Sequence, residues 1–169
     1  MEAEQVVAPI EAGVVGPDSS LQGVRGWLLF FCVTLVFLNP LATFGIFGLS
    51  LFQLTPLFKS FPGLLILSTV DGLASLILMS FSVYAGVSLW RIRPGAVRLA
   101  KMFLVAGVVY LLISPLFMLL AGLPDGAAVS ALPDAYLTAG RSLLYYAIWF
   151  NYLTTSKRVR ATYGLQTPA

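Results

Sequence analysis

The sequence predicts an all-α integral membrane protein that folds as an antiparallel bundle of four transmembrane helices. Hydrophobic residues make up 59% of the 169 residues and charged residues only 10%, whereas a soluble domain carries about 25% charged residues. The charged residues leave four apolar stretches between them, and each stretch reaches the roughly 20 residues that a membrane span needs. The connections are short, and short connections make sequential helices antiparallel.

The four predicted helices are justified in chain order by their flanking residues. The first follows Arg25 and runs into an uncharged stretch. The second begins after Pro62, which suits the first turn of a helix because its missing N–H needs no partner there. The third contains Pro115 and the fourth contains Arg141. All four are apolar around their whole circumference, which is typical of lipid-facing helices. The predicted helices cover residues 26–49, 63–90, 96–122 and 135–155, within a membrane domain of residues 25–156.

Lysine and arginine are unevenly distributed between the two sides of this predicted bundle. Eight of them flank the helices on the side of both termini, and only Lys59 lies in the loops of the other side. Because cytoplasmic loops carry an excess of basic residues, both termini are predicted to be cytoplasmic. The segment 1–24 lacks the basic and apolar regions of a cleaved signal peptide, so we expect a disordered tail and an uncleaved first helix. Residues 157–169 form a basic C-terminal tail.

Two ionisable residues lie inside predicted spans. Asp71 and Arg141 each cost at least about 2.5–3.5 kcal/mol at a bilayer centre. Both lie roughly 10–14 Å below the outer boundary at about 1.5 Å per residue, so we predict an ion pair between the second and fourth helices. The pair is a structural staple or part of a ligand or ion site; snorkelling of Arg141 to the headgroups is the other interpretation. Asn39 lies at a similar height, before Pro40, which removes the α-helical partner of the Val36 carbonyl.

Both ends of the predicted membrane domain carry recognisable patterns. The stretch GVRGWLLFFCVTLVFLNPL covers residues 23–41, and RSLLYYAIWFNYLTTSKRVRATYG covers residues 141–164. Both resemble the YdgK-like bacterial inner-membrane proteins, a four-helix family of unknown function. The resemblance is most specific at Ile148, Trp149, Tyr152 and the Ser-Lys-Arg-Val run that begins at Ser156. It implies a four-helix fold in the bacterial inner membrane, and it implies no activity.

The C-terminal pattern also has a physical interpretation. Trp149 and Tyr152 are expected near the cytoplasmic headgroups, where amphipathic rings are enriched. Lys157, Arg158 and Arg160 follow, and each is expected to attract anionic lipid by roughly 1 kcal/mol. This cluster therefore predicts a lipid contact that anchors the topology, with a docking site for a cytoplasmic partner as the alternative.

The residue inventory excludes most catalytic chemistry. There is no histidine and only one cysteine, Cys32, so serine–histidine catalysis, zinc sites, iron–sulfur clusters and internal disulfides are not expected. Asp71 has no second buried carboxylate with which to form an aspartyl protease site. We therefore expect no enzymatic activity, no cofactor, no metal and no nucleic-acid partner.

Two classes of function remain. The first is a non-catalytic accessory or scaffold protein, a small subunit of a larger membrane assembly that contacts a membrane-protein partner or a second copy of itself. The second is a small transporter or channel that uses the polar layer around Asp71, Arg141 and Asn39. A transport route needs polar groups along its whole length, and the predicted inner half offers few of them, so the sequence favours the accessory class.

Overall fold

The computed structural model describes residues 23–120 and 126–164, and all regular structure in these two ranges is helical. In chain order the elements are α1 (Trp27–Val33), a π-helical segment (Thr34–Leu38), α2 (Asn39–Leu54), a 3-10 turn (Thr55–Leu57), α3 (Pro62–Trp90), α4 (Ala96–Ile113), a 3-10 segment (Ser114–Leu120), α5 (Ala127–Thr155) and α6 (Lys157–Tyr163).

Three helical stretches in the described part of the chain are long and apolar enough to cross a membrane. They are Trp27–Leu57, Pro62–Trp90 and Ala96–Phe117, each with a mean hydropathy of 2.0. These lengths and compositions indicate a multi-pass membrane protein. The fourth predicted span lies within α5, which is 29 residues long but is not among the three. Its acidic, basic, amide and tyrosine side chains lower its hydropathy below that of the other helices.

The helix boundaries agree with the prediction at some ends and differ at others. α3 begins at Pro62 and ends at Trp90, within one residue of the predicted 63–90. α5 begins at Ala127, eight residues before the predicted start, because the helix continues through Pro133. Proline removes only one backbone bond, and a helix continues past it where the rest of the ladder holds. The predicted 1–24 tail lies almost entirely outside the described residues. The predicted C-terminal tail starts as the helix α6.

Sequential helices pack side by side, and the two described chain ends meet at one end of the bundle. α2 packs against α3, α3 against α4, and α4 against α5. The backbone N–H of Gly23 donates to Thr162 Oγ1 at 3.2 Å. The hydroxyl of Tyr163 donates to the Leu89 carbonyl oxygen at 2.7 Å, which fixes α6 across the end of α3. We call this end of the molecule the terminal end.

The hydrophobic core lies near the terminal end. Its buried residues come from α1, the π-helical segment, the second part of α3, the first part of α4, the end of α5 and α6. By contrast, α2 contains no buried residue. We call the half that holds the core the packed half; it comprises α1, the π-helical segment, α6 and residues 82–90, 96–104 and 149–155. The open half comprises α2 and residues 62–79, 107–113 and 127–145.

Candidate functional site

A polar junction joins the start of α2 to α3. The backbone N–H of Asn39 bonds to the Thr34 carbonyl, five residues earlier, which is the π-helical register. In that register the donor to the Leu35 carbonyl is residue 40, and Pro40 has no N–H. The hydroxyl of Ser82 takes its place and donates to the Leu35 oxygen at 2.9 Å. The side chain of Ser82 on α3 thus replaces the missing backbone hydrogen bond.

This register corrects the carbonyl that the sequence assigned to the proline break. In an α-helix, Pro40 leaves the carbonyl four residues earlier, that of Val36, without a backbone donor. In the π-helical register it is the carbonyl five residues earlier, that of Leu35. The Ser82 oxygen also accepts a hydrogen bond from Asn39 Nδ2 at 2.9 Å. Asn39 therefore contributes to a satisfied structural junction, and its amide closes the junction on the side of the open half.

A second polar cluster joins α3 to α4. The hydroxyl of Tyr110 donates to Asp71 Oδ1 at 2.6 Å, and the Ser75 hydroxyl lies 2.9 Å from the same phenolic oxygen. Because the single proton of Tyr110 goes to the carboxylate, Ser75 is the donor in the second bond. Asp71 is therefore held by a neutral partner, the phenol of Tyr110 on the adjacent helix.

The partner of Asp71 differs from the one that the sequence predicted. Arg141 lies exposed on α5, and within residues 23–120 and 126–164 no hydrogen bond or ion pair joins it to Asp71. Two residues at the same depth in different helices can still face in different directions. Depth does not determine the side of the helix on which each residue lies. Tyr110 was missed, although it is the one tyrosine of the predicted third span and precedes Pro115 by five residues.

A cavity of about 100 Å³ lies between these two polar clusters. Gly107 on α4 admits the ring of Tyr146 from α5, because a Cβ at position 107 would lie 2.6 Å from Tyr146 Cε1. The cavity has room for a few water molecules or one small side chain. Its walls come from α2, α3, α4 and α5, and the lining residues are Asn39, Thr43, Ser75, Leu78, Met79, Phe103, Gly107, Tyr110 and Tyr146.

The chemistry available in this cavity is hydrogen bonding. Amide, hydroxyl and phenol groups line it, with the Asp71 carboxylate bonded to one of its lining residues, Tyr110. Among the described residues no group of three or more His, Cys, Asp or Glu side chains could hold a metal ion. The arrangement suits hydrogen bonding to a small polar group.

The aromatic residues of the C-terminal pattern lie inside the packed half. Trp149 is 6% exposed, and its ring stacks on Phe31 at a centroid distance of 4.4 Å. Tyr152 is half-buried and meets Trp149 edge-on at 5.7 Å. The aromatic face of α1 gives the indole of Trp149 a protein partner, and the depth of Trp149 at the cytoplasmic headgroups stays a prediction.

The basic residues of the same pattern lie on α6. Ser156 caps this helix, accepting a bond from the Val159 N–H at 3.4 Å. Lys157 is exposed, whereas Arg158 and Arg160 are half-buried, and Arg160 Nη2 donates to the Thr154 carbonyl at 3.1 Å. Burial raises the pKa of the Tyr163 phenol, so at neutral pH it remains the proton donor to Leu89.

Comparison with known proteins gives one match. A family model described as a protein of unknown function (DUF2569) matches residues 21–164. This range includes both stretches that carry the sequence resemblance and all the helices described above. Neither a curated protein sequence nor a solved structure matches the chain. Because the match covers most of its length, the chain belongs to the DUF2569 family.

Proposed function

We propose that this member of the DUF2569 family is a non-catalytic accessory or scaffold protein, a small subunit of a larger membrane assembly. The observation that carries the proposal is the difference in packing along the bundle. One half is closed around an aromatic core, whereas in the other half α2 buries no residue. In this proposal the open half receives a transmembrane helix of a partner or of a second copy.

The polar groups of the open half support this proposal. Between transmembrane helices, association depends on packing and interhelical hydrogen bonds, because lipid tails are as apolar as leucine. Asn39 and Tyr110 line the cavity among α2, α3, α4 and α5, and polar groups at membrane depth usually face protein or water. A partner helix with a small polar side chain can bond to these groups and cover the apolar face of α2.

A transporter or channel that uses Asp71, Arg141 and Asn39 is the second candidate, and the cavity is the observation that favours it. A transport path has to continue through the bundle. The cavity reaches Phe103, which is buried in the core together with Phe31 and Trp149. This aromatic core lies between the cavity and the terminal end. The closed half therefore favours the accessory role over the transport role.

The proposed orientation has α5 as a fourth span with both termini in the cytoplasm, in a bacterial inner membrane as the YdgK-like resemblance implies. α5 has 29 residues, which gives a length of about 44 Å at 1.5 Å per residue. It packs along α4, and its exposed Arg141 can extend to the outer headgroups. The predicted anionic-lipid contact of Lys157, Arg158 and Arg160 then lies at the cytoplasmic surface.

Cysteine labelling tests this orientation. Cysteines are placed singly at Ser19, Ser130 and Thr167 in a Cys32→Ala background, and an impermeant thiol reagent is applied to intact cells. We expect labelling at 130 alone, and labelling at all three positions after permeabilisation. Labelling of 130 from the same side as 19 and 167 would show that α5 does not cross the membrane.

Site-specific photo-crosslinking tests the accessory role. A photoreactive residue replaces Phe44 on α2, which is 58% exposed, and in a matched control it replaces Val105 on α4, which is 52% exposed. We expect a discrete adduct from position 44 in native membranes and none from position 105, with the partner identified by mass analysis. Equal labelling at both positions, together with solute uptake by vesicles that contain the purified chain alone, would favour the transporter.

A further inference from the structure

A second cavity lies at the terminal end, apart from the polar cavity of the open half. Its volume is about 280 Å³, and it lies between the start of α4 and the end of α6. Gly95 precedes α4 with a φ of +79°, a left-handed conformation that favours glycine. The lining residues are Gly95, Ala96, Val97, Arg98, Lys101 and Tyr163.

Two cations of α4 line this cavity. Arg98 and Lys101 are three residues apart on one helix, so they lie on the same face. The Lys101 ammonium lies 5.6 Å from the centroid of the Phe150 ring, a cation–π contact that positions the side chain without neutralising it. The acidic residues of the described ranges are Asp71 and Asp134, both in the open half. The positive charge of the cavity therefore has no acidic neighbour within the described part of the chain.

The opposite wall of the cavity is fixed. The hydroxyl of Tyr163 is bonded to the Leu89 carbonyl at 2.7 Å, and Val159 of the same helix is fully buried. α6 thus holds the phenol ring of Tyr163 across from the two cations. The fixed Tyr163, the half-buried Lys101 and the exposed Arg98 together line a recess that is open to an anion.

The position of this recess identifies the anion. Arg98 and Lys101 lie in the first two turns of the candidate span Ala96–Phe117. Side chains at the end of a span lie at the level of the lipid headgroups, and basic pockets between transmembrane helices on the cytoplasmic side bind anionic headgroups. We propose that this cavity binds the phosphate of an anionic phospholipid headgroup. The inference rests on the cytoplasmic orientation of the terminal end given under the proposed function.

The recess differs from the basic surface of α6 that the sequence indicated. Arg98 is exposed like Lys157, but it lines one cavity together with the half-buried Lys101. Arg160 instead bonds to the chain itself through Thr154. The proposed site therefore predicts that the preference for anionic over zwitterionic phospholipid depends on Arg98 and Lys101, and not on the total charge of the terminal end.

Lipid binding to the purified full-length chain in detergent tests the proposal. Native mass spectrometry measures the apparent affinity for phosphatidylglycerol and for phosphatidylcholine. In the Arg98→Gln/Lys101→Gln variant we expect the affinity for phosphatidylglycerol to fall about tenfold or more, to the level for phosphatidylcholine. The matched control is Arg91→Gln/Arg93→Gln, which removes the same charge from exposed residues of the adjacent turn and should stay within about threefold of the wild type.

Three further results decide between the alternatives. The charge-conserving variant Arg98→Lys/Lys101→Arg should bind phosphatidylglycerol like the wild type, and unchanged thermal unfolding of all variants confirms that they fold. Equal losses in both glutamine variants would overturn the site in favour of general surface charge. Displacement of the lipid by millimolar inorganic phosphate would overturn the lipid assignment in favour of a soluble anion. These measurements involve no partner and no membrane orientation, so the cysteine labelling and the photo-crosslinking can fail independently of them.

Discussion

The two halves of the bundle share α3, α4 and α5 but are held together in different ways. In the packed half, Phe31 and Trp149 stack at 4.4 Å, and Leu28 and Leu35 are completely buried beside them. In the open half, α2 buries no residue, and hydrogen bonds of Tyr110 join α3 to α4. The comparison shows that buried aromatic and aliphatic side chains hold one half together, whereas hydrogen bonds between helices contribute to the other.

Glycines on α3 show how this difference arises. Gly86 lies in the packed half, where an added Cβ would come within 2.7 Å of Val36 Cγ2 and 2.9 Å of Leu35 Cβ. Gly72 lies in the open half, where the three atoms nearest to an added Cβ all belong to the ring of Phe47. Small residues allow transmembrane backbones to approach closely. At Gly86 the neighbouring helix itself is close, whereas at Gly72 a single movable side chain fills the space.

The largest difference between the halves is expected for aromatic truncation. Trp149→Ala removes the buried ring that contacts Phe31, and the resulting cavity should lower the free energy of unfolding by about 3 kcal/mol. Phe44→Ala removes an exposed ring of α2 and should change it by less than about 0.5 kcal/mol. Denaturation in mixed micelles measures both values. Similar losses for the two variants would mean that the halves are equally packed.

The glycine comparison gives the next largest effect. Gly86→Ala should cost about 2 kcal/mol, because the backbone of the π-helical segment has to move away from α3. Gly72→Ala should cost less, since a rotation of the Phe47 side chain relieves the contact. Gly48→Ala is the control, because nothing lies within 4 Å of its added Cβ, and alanine there should stabilise the helix by up to about 1 kcal/mol. A greater loss at position 72 than at 86 would reverse the comparison.

The Ser82 junction should have a moderate effect. Ser82→Ala leaves the Leu35 carbonyl without its donor and should cost about 1–2 kcal/mol. Ser80→Ala is the matched control, because its hydroxyl bonds only within its own helix, to the Leu76 carbonyl at 2.8 Å.

The proline provides a second test of the same junction. Pro40→Ala restores a backbone N–H that can donate to the Leu35 carbonyl in the π-helical register. The loss of unfolding free energy caused by Ser82→Ala should therefore be smaller in that background. Unfolding measurements on the four members of this cycle give the coupling. Additive effects would show that Ser82 does not replace the missing bond of Pro40.

The sequence predicted the positions of the helices better than their rotations. The ends of α3 were predicted correctly because their signals, Pro62 and the charged turn at Arg91, are local in the sequence. In the structure α3 runs from Pro62 to Trp90. The start of the fourth helix was predicted eight residues too late, at residue 135, whereas α5 begins at Ala127 and continues through Pro133.

The rotation of each helix about its own axis depends on contacts with other helices, which the sequence of one helix does not reveal. The stacking of Trp149 on Phe31 joins α5 to α1, and the bond from Tyr110 to Asp71 joins α4 to α3. The hydrophobic pattern is apolar on all faces of these helices, so it did not show which face meets a neighbour. The residues of the two polar clusters were therefore recognised in part, through Asn39 and Asp71, and their hydrogen-bond partners Ser82 and Tyr110 were missed.

The smallest expected effect concerns the partner of Asp71. In a double-mutant cycle, Asp71→Asn and Tyr110→Phe should couple by about 0.6 kcal/mol, the average for interhelical hydrogen bonds in a membrane protein. Asp71→Asn and Arg141→Gln should be additive, because Arg141 is exposed and Asp71 accepts its bond from Tyr110. Both cycles are measured by denaturation in mixed micelles, with Arg141→Lys as a variant that keeps the charge. A coupling between Asp71 and Arg141 greater than that between Asp71 and Tyr110 would restore the ion pair that depth alone predicted. In that case the open half would be closed by α5, because Arg141 would have to turn from the surface towards α3, and the entry site for a partner helix would be lost.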